Sequence, residues 1–257
     1  MSYEILATSK TPALIVYLLD VSGSMTEKLG DKRRIDLVMG SLGTMLRQMV
    51  FRSTKGSRVS ARYRIAMYAY SDHVYDLLNG IKGVDQVAQL GVPELTPMRS
   101  TDTAGGFAQV EKLLSQELSG LSQCPAPLVC HMTDGEYTGA DPEPIVHRIM
   151  SMSIPDGNVL VENIFISDNI LSDKINDPCQ WSGVLSNTKL RSDYARKLRA
   201  LSSPLPDGYR VMMRESGYNI AESAAMMIPG MTPALVEMGF VMSMSTPIGG
   251  QEGNNDR

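Results

Sequence analysis

Runs of apolar residues predict four buried strands along the chain, at 13–19, 63–70, 128–133 and 159–167. The first and third runs end directly at Asp20 and Asp134. A strand that is apolar on both faces is typical of a parallel sheet covered by helices on each side. Residues 73–78 are predicted to return as a hairpin beside the second strand.

Between these strands the apolar positions recur every three or four residues, which predicts amphipathic helices. The first covers about 35–49, and the second contains 107–118. A third helix is predicted to begin with Asp141 as its N-cap and Pro142 in its first turn, and to end near Met152. This alternation indicates an α/β fold with a doubly wound, mostly parallel sheet, helices on both faces and one antiparallel edge strand.

The C-terminal part of the chain has a weaker pattern. Residues 168–189 are predicted to be irregular, and residues 191–202 are predicted to form a helix. Residues 208–246 are predicted to contain two further helices around a short strand at 224–228. We therefore predict a single domain over residues 1–246, with an insertion at about 168–223. The polar residues 247–257 are predicted to be a disordered tail.

The composition and charge of the chain argue against several classes of function. The chain has 257 residues, and its 24 basic and 28 acidic side chains give a net charge of −4, which argues against a nucleic-acid interface covering the whole domain. The longest apolar run is far shorter than the roughly 20 residues of a membrane span, and no signal-peptide pattern is visible. Three cysteines without a C-x-x-C pair indicate neither a disulfide framework nor a cysteine zinc site, so we expect a cytoplasmic protein with no membrane partner.

Oxygen-bearing side chains follow the first and third strands and also precede the second helix. In chain order they are Asp20, Ser22, Ser24, Thr101, Thr103 and Asp134. Because the carboxyl ends of parallel strands meet at one edge of a sheet, these side chains are expected to converge. Carboxylate and hydroxyl oxygens without His or Cys suit Mg²⁺ or Mn²⁺, and also Ca²⁺. The structural alternative is an N-cap cluster after the first strand and an ordinary turn after the third.

The D-x-S-x-S pattern, the later T-x-T and the final T-D-G, taken together over about residues 13–167, resemble the von Willebrand factor A (VWA) family. The resemblance implies a Rossmann-like VWA fold with a metal-ion-dependent adhesion site (MIDAS). The metal-binding residues that it implies are Asp20, Ser22, Ser24, Thr101 and Asp134. Thr103 is the competing candidate for the threonine. Stand-alone intracellular, bacterial-type VWA proteins of this kind are similar to those associated with chaperone-like ATPases or with kinase–phosphatase systems.

The resemblance implies a metal-dependent protein–protein interaction module, acting as a scaffold or assembly factor. A partner's Asp or Glu carboxylate is expected to bind at the open position of the ion. Glu136, Asp141 and Thr103 lie near the predicted site and are candidate partner-binding residues, although a solvated rim is the simpler interpretation of the two acids. His131 is interpreted as a core histidine because it lies within an apolar strand.

Two other functions stay open. An aspartate after the first strand suggests a metal-dependent hydrolase of the phosphatase type. Ser22, however, occupies the place of the second carboxylate, and no phosphate-binding loop or nucleophile elbow is present, so we predict neither enzyme activity nor a small-molecule substrate. The stretch 52–64 holds five basic residues and no acid, and could bind nucleic acid or an acidic partner. It lacks interleaved aromatic residues for base stacking, which favours a solvated loop.

Overall fold

The computed structural model describes residues 3–56, 58–98 and 100–249, and a seven-stranded sheet forms the centre of this part. In chain order its strands are β1 (Ala13–Asp20), β2 (Tyr63–Tyr70), β3 (Val74–Asp76), β4 (Lys82–Gly83), β5 (Leu128–Thr133), β6 (Leu160–Phe165) and β7 (Met227–Pro229). Their spatial order is β7-β6-β5-β1-β2-β3, and β4 also pairs with β2. Every pairing is parallel except those of β3 and β4, which lie antiparallel along β2. The mostly parallel sheet with an antiparallel edge is therefore confirmed.

Seven α-helices in the described residues cover the two faces of the sheet. They are α1 (Arg34–Ser53), α2 (Val84–Leu90), α3 (Thr103–Glu117), α4 (Glu143–Ser151), α5 (Asp193–Ala200), α6 (Asp207–Glu215) and α7 (Pro233–Ser243). Helices α1, α2, α6 and α7 share one core with the sheet, and α3, α4 and α5 pack on the opposite face. Within these ranges no helix is both long enough and apolar enough to cross a membrane.

The central strand β1 shows why the sheet is buried on both sides. All eight of its residues are buried. Ile15, Tyr17 and Leu19 face the core under α1 and α7, whereas Val16 and Leu18 face the core under α3. Successive side chains of a strand point to opposite faces, so a strand of this composition is stable only between two helical layers.

The predicted elements agree with the structure most closely in the N-terminal two thirds. Strands β2 and β5 have the predicted bounds. Helix α4 begins at Glu143, one residue later than an Asp141 cap requires, because Pro142 takes the cap position. The Asp141 carboxylate nevertheless accepts a hydrogen bond from the Glu143 amide at 2.9 Å. Helix α2 was not predicted, because a seven-residue segment is too short for a clear helical period.

Short elements complete the fold. Two-residue strands form hairpins at Lys28–Leu29 with Lys32–Arg33, Thr54–Lys55 with Arg58–Val59, and Ser153–Ile154 with Gly157–Asn158. One-turn 3₁₀ helices lie at Gly23–Thr26, Leu118–Leu121 and Pro178–Gln180. At the start of the predicted tail, Ile248 forms a parallel bridge with Ala7, while residues 250–257 lie outside the described residues.

Candidate metal centre

The predicted site lies where β1 and β5 end side by side. Asp20 is the last residue of β1, and Asp134 directly follows the last residue of β5. The two strands are parallel neighbours in the sheet, so both carboxylates emerge at the same edge. The turn that follows Asp20 carries Ser22 and Ser24 back over this edge.

Asp20 forms the floor of the site. It is 1% exposed, and its two oxygens accept hydrogen bonds from the Ser22 amide and from the Thr133 hydroxyl, both at 2.8 Å. Burial raises the pKa of Asp20 to about 6, although the hydrogen bonds from Ser22 and Thr133 oppose the shift; the nearby Asp134 carboxylate raises it further. A buried carboxylate with a second one beside it is an environment that a cation would stabilise.

A chain of hydrogen bonds joins the two serines to Asp134. The Ser22 and Ser24 hydroxyls lie 2.9 Å apart, and the Ser24 hydroxyl donates to Asp134 Oδ1 at 2.6 Å. Asp134 Oδ2 accepts a hydrogen bond from Arg34 Nη1 at 2.9 Å. Four of the five residues of the implied MIDAS therefore lie in one hydrogen-bonded cluster.

The fifth residue, Thr101, lies on a loop that is tied to the same edge. Its amide donates to the Thr138 hydroxyl at 3.3 Å, and its carbonyl accepts from the Thr138 amide at 3.1 Å. Earlier in the loop the Met98 amide donates to the carbonyl of Val21, which lies between Asp20 and Ser22. Thr101 is buried, but no hydrogen bond links its side chain to the described residues of the cluster.

Thr103, the competing threonine, is the first residue of α3. It is 1% exposed, and its hydroxyl is buried without a hydrogen-bond partner among the described residues. Helix α3 lies close to the sheet at this end. A Cβ added to Gly106 would lie only 3.1 Å from Leu18 and 3.2 Å from Tyr70. An unpartnered buried hydroxyl is costly, and a ligand or a water molecule at this edge would satisfy it.

The donor set fits a hard divalent ion. The described residues contain no cluster of three or more His, Cys, Asp or Glu side chains. The cluster instead offers hydroxyl oxygens and two buried carboxylates, which are ligands that Mg²⁺, Mn²⁺ and Ca²⁺ accept.

The two acidic candidates for partner binding lie in different surroundings. Glu136 is exposed, two residues beyond Asp134. Asp141 is also exposed but pairs with Lys197 of α5 at 2.5 Å, and this contact lowers the pKa of Asp141. Lys197 also pairs with Glu143 at 3.1 Å. Glu136 is therefore the more available of the two acids, whereas Asp141 joins α5 to the loop beside the site.

Arg34 was not predicted as a site residue. It is the first residue of α1, it is 8% exposed, and its Nη1 atom contacts Asp134 at 2.9 Å and Glu27 at 3.0 Å. The N-terminus of a helix carries partial positive charge, so an arginine there is unfavourable unless an anion compensates it. A basic residue at a helix N-terminus was therefore the sequence signal that an acidic side chain of the same chain would lie beside it.

A buried polar network under the site was also not predicted. His131 Nε2 lies 2.8 Å from the Tyr70 hydroxyl, and His131 Nδ1 lies 2.8 Å from Asn163 Oδ1. The Asn163 amide nitrogen donates to the Ser202 hydroxyl and to the carbonyl of Leu201, just after α5. This arrangement assigns the Nδ1–H tautomer to His131, with Tyr70 donating to Nε2. The histidine is fully buried, as the core interpretation expects, and burial lowers its pKa to about 4.

The basic stretch 52–64 is largely engaged within the chain. Arg52 donates to the Met244 carbonyl and to the Ser216 hydroxyl, both at 3.1 Å. Arg62 donates to the Gly249 carbonyl, and Arg64 pairs with Glu117 at 2.9 Å. Three of its basic side chains therefore stabilise the fold, which weakens the nucleic-acid alternative.

Comparison with known proteins gives structural neighbours only. No family model and no curated protein matches the chain. The PilB minor pilin from Streptococcus sanguinis matches 92% of the chain at 11% identity, with a TM-score of 0.54 and 62% of its own length covered. The vWF domain of the type V pili tip protein Mfa5 from Porphyromonas gingivalis has 21% identity over 49% of this chain and 39% of that chain, with a TM-score of 0.38.

A third neighbour is proximal thread matrix protein 1 from the mussel byssus with a zinc-occupied MIDAS motif, at 21% identity and a TM-score of 0.42. That match covers 61% of this chain and 38% of the other. The chain thus spans between 38% and 62% of the length of these solved proteins. At such identities the likeness concerns the fold alone. The parallel sheet order, the antiparallel edge and the helices on both faces give the chain an α/β fold with a doubly wound, mostly parallel sheet, which it shares with the PilB minor pilin.

Proposed function

We propose that the chain is a metal-dependent protein-interaction module that captures an acidic side chain of a partner protein. The observation that carries this proposal is the cluster of Asp20, Ser22, Ser24 and Asp134, joined by hydrogen bonds of 2.6–2.9 Å at the end of two parallel strands. The mussel neighbour, whose MIDAS holds zinc, and the pilus proteins among the neighbours agree with a role in assembly.

In this proposal Ser22, Ser24 and Thr101 provide hydroxyl ligands, and Asp20 and Asp134 hold the ion by charge. A bound Mg²⁺, or Mn²⁺ or Ca²⁺ in its place, supplies an electrophilic position for one partner carboxylate. The chain's own residues determine the geometry. Thr133 and the Ser22 amide fix the Asp20 carboxylate, and Arg34 fixes Asp134.

We propose a binding role rather than an enzymatic one, because both site carboxylates are already engaged by hydroxyl, amide or guanidinium donors. Neither is free to act as a general base on water. We also propose a cytoplasmic location, which the three free thiols of Cys124, Cys130 and Cys179 support. A chaperone-like ATPase or a kinase–phosphatase system is the proposed type of partner.

The proposal is tested by titrating the protein with Mn²⁺ and measuring free Mn²⁺ by electron paramagnetic resonance. The wild type is expected to bind one ion, and Asp20→Ala and Ser22→Ala are expected to lose it. Asp72→Ala is the matched control, because Asp72 follows the neighbouring strand β2 but is exposed and pairs locally with Ser71. Binding that survives in Asp20→Ala contradicts the proposed site.

The interaction itself is tested by affinity capture in Mg²⁺ and in EDTA, with mass spectrometry of the bound proteins. A partner is expected in Mg²⁺ with the wild type and with Asp72→Ala, and is expected to be lost with EDTA or with Ser22→Ala. A candidate partner is then purified, and its acidic residues are replaced by amides to find the captured carboxylate. Capture that is equal in EDTA would show that the interaction does not use the metal.

A further inference from the structure

Arg34 places a fixed positive charge in the wall of the candidate metal centre. Its Nη1 atom lies 2.9 Å from Asp134 Oδ2, whose side chain is fully buried, and 3.0 Å from Glu27 Oε2. The Arg34 side chain is 10% exposed, whereas that of Glu27 is 63% exposed and therefore well screened by solvent. The strong electrostatic partner of Arg34 is thus Asp134.

Three features indicate that Arg34 does more than stabilise the fold. Its positive charge lies beside the partial positive charge at the start of α1, which is an unfavourable arrangement. Its Nε–H is buried and has no acceptor among the described residues. Asp134 already has a hydrogen-bond donor in the Ser24 hydroxyl, so orienting its carboxylate does not by itself require a cation.

Arg34 changes the net charge of the candidate metal centre. Asp20 and Asp134 contribute two negative charges when ionised, and Arg34 returns one positive charge within hydrogen-bond distance of Asp134. A divalent ion therefore meets a site with one net negative charge instead of two. Once loaded, the site is left with a net positive charge instead of being neutral.

We propose that Arg34 determines the specificity of the site, by weakening its affinity for the metal ion while strengthening the affinity of the loaded site for an anionic ligand. The inference rests on the proposed function. A loaded site with net positive charge selects a carboxylate over a neutral ligand such as a hydroxyl or an amide. The partner residue is accordingly an ionised Asp or Glu, and Arg34 acts on it through the field of the site.

The test compares Arg34→Gln with Arg33→Gln, its neighbour in sequence. Arg33 is exposed and pairs with Asp36 on the surface, so its replacement removes the same charge from the protein but not from the site. Mn²⁺ affinity is measured by electron paramagnetic resonance. Acetate binding to the Mn²⁺-loaded protein is measured from the water-proton relaxation rate, which falls when a carboxylate displaces metal-bound water.

Arg34→Gln is expected to bind Mn²⁺ about tenfold more tightly and acetate about tenfold more weakly than the wild type, the scale of one charge interaction at a partly buried site. Arg33→Gln is expected to stay within about twofold for both, because solvent screens its charge. Arg34→Lys, which keeps the charge and loses the planar fork, is expected to stay within about threefold of the wild type.

Unchanged or weaker Mn²⁺ binding in Arg34→Gln overturns the inference, because it makes Arg34 only a clamp for Asp134. If that variant does not fold, Arg34→Lys decides: a tenfold gain in Mn²⁺ affinity despite the retained charge also overturns it. Failure of the wild type to bind Mn²⁺ overturns the proposed function together with the inference. If Asp20→Ala loses Mn²⁺ binding but Arg34→Gln leaves it unchanged, the inference about Arg34 is overturned and the proposed function is not.

Discussion

Glu162 is predicted to make the stability of the protein fall as the pH rises. It lies in the middle of β6, it is fully buried, and neither carboxylate oxygen has a hydrogen-bond partner among the described residues. Burial raises the pKa of Glu162 well above its usual range, and the neighbouring Cys130 thiol offsets only part of the shift. The native protein therefore holds Glu162 as a neutral acid, whereas the unfolded chain ionises it at neutral pH.

The magnitude follows from this difference in bound protons. Above the unfolded pKa of about 4.5 the native state holds one proton more than the unfolded chain, so the free energy of unfolding decreases by about 1.4 kcal/mol per pH unit until the pH reaches the native pKa. Below the unfolded pKa the contribution is present in full. His131 acts in the opposite direction, because its native pKa of about 4 makes stability fall as the pH drops below 6.5.

The assay compares the wild type with Glu162→Gln, which keeps the size of the side chain and removes its titration. Urea unfolding is followed between pH 5 and pH 8.5 in EDTA by the fluorescence of Trp181, the single tryptophan of the chain. All other groups, including Asp20 and His131, titrate in both proteins and cancel in the difference. The variant is expected to gain on the wild type as the pH rises, by about 1.4 kcal/mol per pH unit while the pH lies between the unfolded and the native pKa of Glu162.

Parallel pH profiles for the two proteins would refute this reasoning, because they would show that Glu162 titrates alike in the native and unfolded states. A second variant separates charge from polarity. Glu162→Met places an apolar side chain of similar length in the same space, and it is expected to be more stable than the wild type at pH 8. Its pH profile is expected to follow that of Glu162→Gln.

Two further predictions concern packing and the buried network, and both are measured as free energies of unfolding in urea. Gly239→Ala is expected to cost about 1–3 kcal/mol, because its Cβ would lie 2.5 Å from Ile164 Cδ1, and Ile164→Val should restore part of the loss. Gly40→Ala, in an open part of α1, is the control and is expected to stabilise; an equal effect of both alanines would contradict the packing explanation. Asn163→Ala is expected to cost about 2–4 kcal/mol because it leaves His131 Nδ1–H without its acceptor, and a loss below about 1 kcal/mol would show that water replaces the amide.

Much of the fold could be predicted from the sequence because its strands carry a strong local signal. The runs that became β1 and β5 are apolar at nearly every position, and each is followed by an aspartate. The parallel arrangement then implied that Asp20 and Asp134 share an edge, since the carboxyl ends of such strands coincide. Helix α2 and the two-residue hairpins were missed, because such short segments show no period.

Arg34 and Glu162 could be noticed in the sequence, but their roles could not be interpreted from it. Each contradicts the local preference of its element: Arg34 is a cation at a helix N-terminus, and Glu162 is an acid in the middle of a fully buried strand. A pattern shows that such a residue needs compensation, but it contains no distances. Only the structure shows that Arg34 has an anion at 2.9 Å and that Glu162 has no hydrogen-bond partner among the described residues. The first is therefore expected to act through its charge, and the second through the proton that it retains.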